Sequence, residues 1–200
     1  MNAVFFSKKI RLVFILLLIF FVFKTLRSAE KSWMVDLLTN IYAADLLQNG
    51  KELYSKIPYN GGFTYLPIIS ALYLPLKKIK IDFSFSNVKL VWTTINILLV
   101  FFNLFIFYKM NFFRNKSTVS IFFFTAFFLF FHPMSDNIRY GNIKILALSL
   151  FSLYIYLDSI NFLIPAGITI GFLIILSVQP VIFLIYLAFK KNIRLYFLRY

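Results

Sequence analysis

The sequence contains no cysteine and a single histidine among its 200 residues. These two shortages exclude a disulfide scaffold, a zinc site built from thiolates, a cysteine nucleophile and a histidine-rich metal site. Glycine and proline are also scarce, with six residues of each, which excludes a collagen-like or Gly/Pro-rich polymer. Only 14% of the residues are charged, against about 25% in a typical soluble domain. The composition is therefore not that of an ordinary soluble protein.

What the chain has in abundance is apolar and aromatic surface. Hydrophobic residues make up 61% of the sequence, and they include 28 phenylalanines and 12 tyrosines. A chain of this length cannot bury so many apolar side chains in a core of its own, because small proteins have much surface for their volume. The same composition excludes intrinsic disorder. The sequence therefore predicts an all-α integral membrane protein that has the lipid bilayer as a partner.

The formal net charge of +14 raises the question of nucleic-acid binding, and the distribution of the basic residues answers it. The lysines and arginines stand in short clusters between apolar runs, at Lys8–Arg11, Lys109–Lys116 and Lys190–Arg194. Basic clusters in such positions are typical of the cytoplasmic flanks of membrane spans. We therefore expect no nucleic-acid partner.

Apolar runs mark the predicted membrane spans, each of which needs about 20 residues. They are Leu12–Phe23 (extended on both sides by snorkelling cations), Leu90–Tyr108, Ser117–Ser135, Ile145–Leu157 and Ser159–Phe189. The last run is too long for one helix, and Ser177–Pro180 in its middle predicts a break, since proline disfavours helical backbone in the residue before it. The sequence thus predicts about six spans.

The first apolar run, with its basic start, also has features of a signal peptide. A cleavage site after Ala29 would put Arg27 where a small residue is needed, so an uncleaved first helix is the preferred interpretation.

A cytoplasmic amino terminus puts the larger net positive charge inside, which the positive-inside rule favours. We predict a single multi-pass membrane domain, residues 1–200, in the cell inner (plasma) membrane, with residues 28–88 as an external loop.

This external loop is the stretch long and polar enough to hold a functional site. Helical periodicity predicts a helix over Trp33–Asn49, and Pro67 begins a second over Ile68–Leu74. Two such amphipathic helices, joined by a Gly-rich turn, would lie flat on the lipid surface. Asp36 falls in the first turn of the first helix. The residues alone leave two roles open for it: a carboxylate that opposes the helix dipole, or a general base in a cleft.

Several short motifs follow one another in a specific order. They are Asp36, Tyr42-Ala43-Ala44, Leu46-Leu47, Gly50, Leu53-Tyr54, Phe63-Thr64-Tyr65-x-Pro67, Leu74-Pro75-Leu76, Arg139-Tyr140-Gly141-Asn142 and Pro180–Tyr186 before Lys190-Lys191. This order resembles glycosyltransferase family 87, the polyprenyl-phosphate-mannose-dependent membrane mannosyltransferases with the GT-C fold. The resemblance covers most of residues 30–191 and implies a GT-C-like helical bundle.

The resemblance also implies a chemistry. Asp36 would be the catalytic base that takes a proton from an acceptor hydroxyl, and cations near the departing lipid phosphate would stabilise its charge. The residues that we expect to bind substrate are Arg139, Lys144, Asn142, Tyr42, Tyr54 and Tyr65. Placement at the level of the lipid headgroups is the alternative for the three tyrosines. His132 is interpreted as a loop histidine, and we predict neither a metal site nor another cofactor.

The sequence departs from the family pattern at two positions and in its length. Asn142 stands where the family usually has Gln, and Ser177 stands where it often has Lys. Family members are considerably longer, so the chain is expected to correspond to an amino-terminal half. The expected partners are a polyprenyl-phosphate-linked sugar and a glycan or glycolipid acceptor. The alternatives are a truncated, non-catalytic membrane protein and one half of a split transferase, completed by a second polypeptide.

Overall fold

The computed structural model describes residues 8–54, 65–82, 84–110 and 117–176, and every regular element within these ranges is an α-helix. In chain order the helices are α1 (Lys8–Lys31), α2 (Val35–Gln48), α3 (Pro67–Ala71), α4 (Leu74–Asp82), α5 (Phe85–Lys109), α6 (Thr118–Phe130), α7 (His132–Tyr140), α8 (Lys144–Ser159) and α9 (Leu163–Leu176). The predicted all-α class is confirmed.

Three helical segments of the described part are long and apolar enough to cross a membrane: Arg11–Lys31, Phe85–Lys109 and Val119–Tyr140. They overlap the first three predicted spans, so the chain is a helical membrane protein. Helices α8 and α9, with 16 and 14 residues, are shorter than the roughly 20 residues of a full crossing. The total of about six spans stays a prediction. The predicted break at Ser177–Pro180 lies outside the described residues.

The third of these segments bends at Phe131, between α6 and α7. Pro133 has no backbone N–H, and its ring opposes the carbonyl four residues earlier, so α6 ends and a new helix begins. The interpretation of His132 as a loop residue is therefore wrong, because His132 is the first residue of α7. Its side chain is exposed, and its Nδ1 lies 2.9 Å from Oδ2 of Asp136, one helical turn ahead.

Helix α5 lies at the centre of the described bundle, in contact with α1, α4 and α8, and α8 in turn packs against α9. A buried hydrogen bond joins α5 to α8: Nδ2 of Asn103 donates to Oγ of Ser149 at 2.7 Å. Each side chain also donates to a carbonyl of its own helix, Asn103 to Leu99 and Ser149 to Ile145, so the bond between the helices adds to these local bonds and resists separation. This bond therefore holds α5 and α8 in one register.

Helix α2 is buried on more than one face, which differs from the amphipathic helix expected to lie flat on the lipid surface. Leu37, Ala43 and Ala44 have no exposed surface, and the polar Asn40 is 1% exposed. The apolar residues of α2 share one core with residues of α3, α4 and α5. Helix α2 is thus packed among other helices, and its polar side chains face protein as well as solvent.

The second helix expected in the external loop is split in two. Helix α3 begins at Pro67, as predicted, but it ends at Ala71, and α4 begins at Leu74. Pro75 explains the break, because its ring would clash with the carbonyl of Ala71 in a continuous helix. Lys77, Lys78 and Lys80, which follow the second helix predicted over Ile68–Leu74, lie inside α4.

An ion pair between Asp45 and Lys77 ties α2 to α4, and Nζ of Lys77 also donates to Oε1 of Gln48 at 2.8 Å. The hydrogen bond from Lys77 lowers the pKa of the Asp45 carboxyl, against the opposing effect of burial. The contribution of this pair to stability is therefore present above the unfolded-state pKa of aspartate, about 3.9, and is lost as the pH falls through the lower folded-state value.

We expect Lys77→Met to reduce the free energy of unfolding by about 0.2–1 kcal/mol at neutral pH, the range for exposed ion pairs. Methionine keeps the apolar stem of the side chain and removes the charge. Thermal unfolding of the purified chain in detergent, at pH 7 and below about pH 3, measures the effect. The two melting temperatures should differ at pH 7 and converge in acid. A difference that persists in acid would show that packing or the hydrogen bond to Gln48, not the ion pair with Asp45, is responsible.

Candidate active site

The backbone turns sharply just before Asp36. Met34 adopts the left-handed conformation, with φ 45°, and its side chain is buried. A positive φ is uncommon for residues other than glycine, and here it redirects the chain from α1 into α2. Asp36 becomes the second residue of α2, where the positive end of the helix dipole favours a carboxylate.

A direct hydrogen bond connects Asp36 to the loop between α7 and α8. Nδ2 of Asn142 donates to Oδ2 of Asp36 at 2.8 Å, across 106 positions of sequence. Oδ1 of Asn142 accepts the backbone N–H of Lys144 at 3.0 Å, a local bond typical of asparagine in turns. The second bond fixes the orientation of the amide, because its oxygen is engaged and its NH₂ group is left to face the carboxylate. Both side chains are half-buried.

Gly141 allows this contact. It ends α7 in the left-handed conformation, with φ 74°. A Cβ atom at this position would lie 2.5 Å from Cβ of Leu37 and 3.1 Å from its backbone nitrogen. Only glycine fits both the backbone angle and the close approach. The α7–α8 loop therefore rests on the first turn of α2, and Asn142 comes within reach of Asp36.

Two tyrosines lie within electrostatic range of Asp36. Burial raises the pKa of the Tyr65 phenol, and the charge of Asp36 raises it further. The pKa of Tyr73 is also raised, chiefly by its nearly complete burial and then by Tyr65 and Asp36. Both phenols thus stay protonated at neutral pH and can act as hydrogen-bond donors. The hydroxyl of Tyr54 donates to the backbone oxygen of Tyr65 at 3.0 Å, which holds these two residues together.

Asn40 and Tyr73 add polar groups that the sequence analysis missed. Asn40 lies one helical turn after Asp36, and it is 1% exposed. Its amide is close to the hydroxyl of Tyr73, yet within the described part of the chain neither group makes a well-formed side-chain hydrogen bond. Buried polar groups normally have a partner. The spacing of four residues from Asp36 was the available signal for Asn40, since it places both on one helix face.

The other residues that the sequence predicted for the site differ in their exposure and in their neighbours. Arg139, in the last turn of α7, is exposed and lines a small cavity together with Lys24 and Ser135. Lys144 is the exposed first residue of α8. Tyr42 packs against the apolar core around α2, and Tyr54 is largely exposed. The structure therefore brings together Asp36, Asn142 and Tyr65 and gives Tyr42 a packing role.

The position of Asn142 suggests a test of how Asp36 is oriented. In Asn142→Asp an oxygen remains for the Lys144 N–H, but a second carboxylate faces Asp36. Two carboxylates in contact cannot both stay ionised near neutral pH, so one takes up a proton. We expect the acidic limb of the rate profile to move to higher pH.

The matched control is Asn137→Asp, which adds the same charge on α7, where the native amide bonds the oxygen of Pro133. Equal profiles for the two variants would contradict a role of Asn142 in orienting Asp36. Initial rates of the catalysed reaction, measured across pH in membranes, give both profiles.

Metal-binding groups are scarce in the described ranges, where no three His, Cys, Asp or Glu residues are grouped as a metal site requires.

Comparison with known proteins adds one finding. The family model described as Glycosyltransferase family 87 matches residues 63–198, more than half of the chain. No curated protein and no solved structure matches. The matched region contains Tyr65, Arg139, Asn142 and Lys144, and it begins after Asp36.

Proposed function

The chain belongs to glycosyltransferase family 87 and is a membrane glycosyltransferase by family, and from this premise we propose its reaction. We propose that it transfers a sugar, with mannose as the first candidate and another hexose or a pentose as alternatives, from a polyprenyl-phosphate donor to an extracytoplasmic glycan or glycolipid. The reaction would take place at the external face of the cell inner (plasma) membrane, with the amino terminus in the cytoplasm.

The observation that carries the proposal is the hydrogen bond from Asn142 to Asp36. A general base must present a free lone pair in a fixed direction. Asn142 occupies one carboxylate oxygen of Asp36, and within the described part of the chain the other oxygen is left available. The interaction also joins the first turn of α2 to the Gly141–Asn142 motif, which comes from the part of the chain that the family model matches.

In the proposed reaction, the free oxygen of Asp36 removes the proton of an acceptor hydroxyl. The acceptor oxygen forms a bond to the anomeric carbon as the bond between that carbon and the phosphate oxygen breaks. The bonding electrons leave with the lipid phosphate, and the proton stays on Asp36. The base step contributes about 10²–10⁴-fold in rate.

The lipid phosphate departs as an anion, so cations aimed at it stabilise the transition state. Arg139 and Lys144 stand on either side of Gly141–Asn142, and both are exposed. In the proposal they receive the phosphate. Tyr65 and Tyr54 offer ring faces to a sugar. Asn40, one helical turn after Asp36 on α2, adds a buried amide close to the hydroxyl of Tyr73.

The direct test is transfer from a radiolabelled polyprenyl-phosphate sugar in membranes that contain the chain, compared with membranes from cells that lack it. Mannose is tested first, followed by other hexoses and pentoses. We expect a labelled glycan or glycolipid that appears only when the chain is present. Absence of transfer from every donor would overturn the proposed activity of this chain and support the alternative of a non-catalytic protein or of one half of a split transferase.

A further inference from the structure

A crevice separates the end of α1 from the beginning of α5. Its volume is about 550 Å³, within the range of cavities that hold small ligands. Arg27 and Glu30 of α1 line it together with Lys89, Leu90 and Thr93 of α5. None of these residues has a part in the proposed reaction at Asp36. The proposed reaction therefore assigns no role to the crevice.

The charge in the crevice is positive. Arg27 and Lys89 face one acid, Glu30, and the ion pairs found among the described residues involve neither of these cations. Nζ of Lys89 donates to the backbone oxygens of Glu30 and Ser32, at 2.7 and 3.0 Å. The same ammonium lies 5.8 Å from the centre of the Phe85 ring. An ammonium group has three N–H donors, so within the described part of the chain the two hydrogen bonds hold it in place and one donor is left for a ligand.

Thr93 supplies an independent indication that the crevice holds a ligand. Its side chain has no exposed surface, and its Oγ1 has no hydrogen-bond partner within the described part of the chain. A buried threonine in a helix normally bonds the carbonyl four residues earlier, as Thr39 and Thr125 do here. Thr93 instead lines the crevice with its hydroxyl unpaired, and an acceptor oxygen from a ligand would satisfy it.

The apolar part of the crevice indicates where this ligand comes from. Phe23 and Leu90 line it, and they are 60% and 55% exposed. Both residues belong to segments that are long and apolar enough to span the membrane. The crevice is thus open to the bilayer as well as to its polar surface. An occupant that matches both parts has an anionic head and an apolar tail.

We propose that the crevice between α1 and α5 binds the phosphate group of an anionic membrane lipid. Arg27 and Lys89 contact the phosphate, and the hydroxyl of Thr93 donates to an oxygen of the headgroup. The acyl chain lies along Phe23 and Leu90. The N-terminal end of α5, capped by Ser84, adds the positive end of a helix dipole to the same site. This binding site is independent of the catalytic role proposed for Asp36.

Native mass spectrometry of the purified chain, titrated with phosphatidylglycerol in detergent, tests the proposal. We expect saturable binding of one lipid. Arg27→Gln should weaken that binding about tenfold or more, because it removes a charge-assisted contact. Thr93→Val should weaken it by a smaller factor. The shape of threonine is preserved in valine, and Arg27 is exposed, so both variants should fold.

The matched control is Lys24→Gln, which removes a cation from the same helix at a position that lines a different cavity. Binding that falls equally in Lys24→Gln and Arg27→Gln would overturn the proposal, because general attraction to the basic surface would explain it. Diacylglycerol that binds as well as phosphatidylglycerol would overturn the role of the phosphate. Displacement of the lipid by inorganic phosphate at equal concentration would assign the crevice to a free anion. Unchanged binding in Arg27→Gln would exclude the site.

Discussion

Asp36→Asn is expected to reduce sugar transfer by about 10²–10⁴-fold and to leave the chain folded and inserted. The amide has the shape of the carboxylate, and its oxygen can still accept the hydrogen bond from Asn142. It cannot take a proton from the acceptor hydroxyl, so only the base function is lost. Initial rates with a labelled polyprenyl-phosphate sugar, normalised to the amount of chain in the membrane, measure the effect.

The matched control for Asp36→Asn is Asp45→Asn on the same helix. Asp45 forms its ion pair with Lys77 at the other end of α2, so we expect an almost unchanged transfer rate. Transfer that survives in Asp36→Asn would reject Asp36 as the base. An equal loss in both variants would show that α2 tolerates no loss of charge, and the role of Asp36 would then be structural.

Gly141→Ala is expected to lower the free energy of unfolding by about 2–5 kcal/mol, the sum of a backbone and a packing cost. The new Cβ would lie 2.5 Å from Cβ of Leu37, and the φ of 74° disfavours every residue with a side chain. The strain displaces the α7–α8 loop from α2, so the bond between Asn142 and Asp36 should also be lost. Thermal unfolding in detergent and the transfer assay measure the two effects.

Gly50→Ala separates the backbone cost of Gly141→Ala from its packing cost. Gly50 has φ 62°, but nothing lies within 4 Å of the position that its Cβ would take. Alanine there has only the backbone cost, about 1–2 kcal/mol. The excess loss in Gly141→Ala then measures the close approach to Leu37. Equal losses in the two variants would contradict that contact.

Much of the fold could be predicted from local patterns. The uncharged run Leu90–Tyr108 lies within α5, and Trp33–Asn49 corresponds to α2 within two residues at each end. Apolar length and helical periodicity are properties of one segment, so the sequence displays them directly. The breaks at Pro75 and Pro133 are also local. The break at Pro75 was missed because apolar residues on both sides of it favour one continuous helix, whereas the span Ser117–Ser135 was expected to end at His132-Pro133.

The candidate site depends on contacts that no single segment reveals. Resemblance to the family indicated both Asp36 and Asn142, but their hydrogen bond depends on the fit of Gly141 against Leu37. Tyr73 was missed because its burial is produced by the split between α3 and α4. Arg139 could be placed near the motif from the sequence, whereas its position beside Lys24 follows from the packing of α7 against α1.

The bond between Asn103 and Ser149 has a consequence for how the chain is made. Helix α5 leaves the ribosome well before α8, so Asn103 reaches the bilayer ahead of the serine to which it donates. Until then the amide of Asn103 has only the carbonyl of Leu99 on its own helix as a partner. A polar side chain among lipid tails is costly, and it makes the newly inserted α5 dependent on a helix that is still to be synthesised. Translation stopped between these helices would leave a membrane segment with an exposed polar spot, a feature that cellular quality control can recognise. Completion of α8 then stabilises α5 in the bundle.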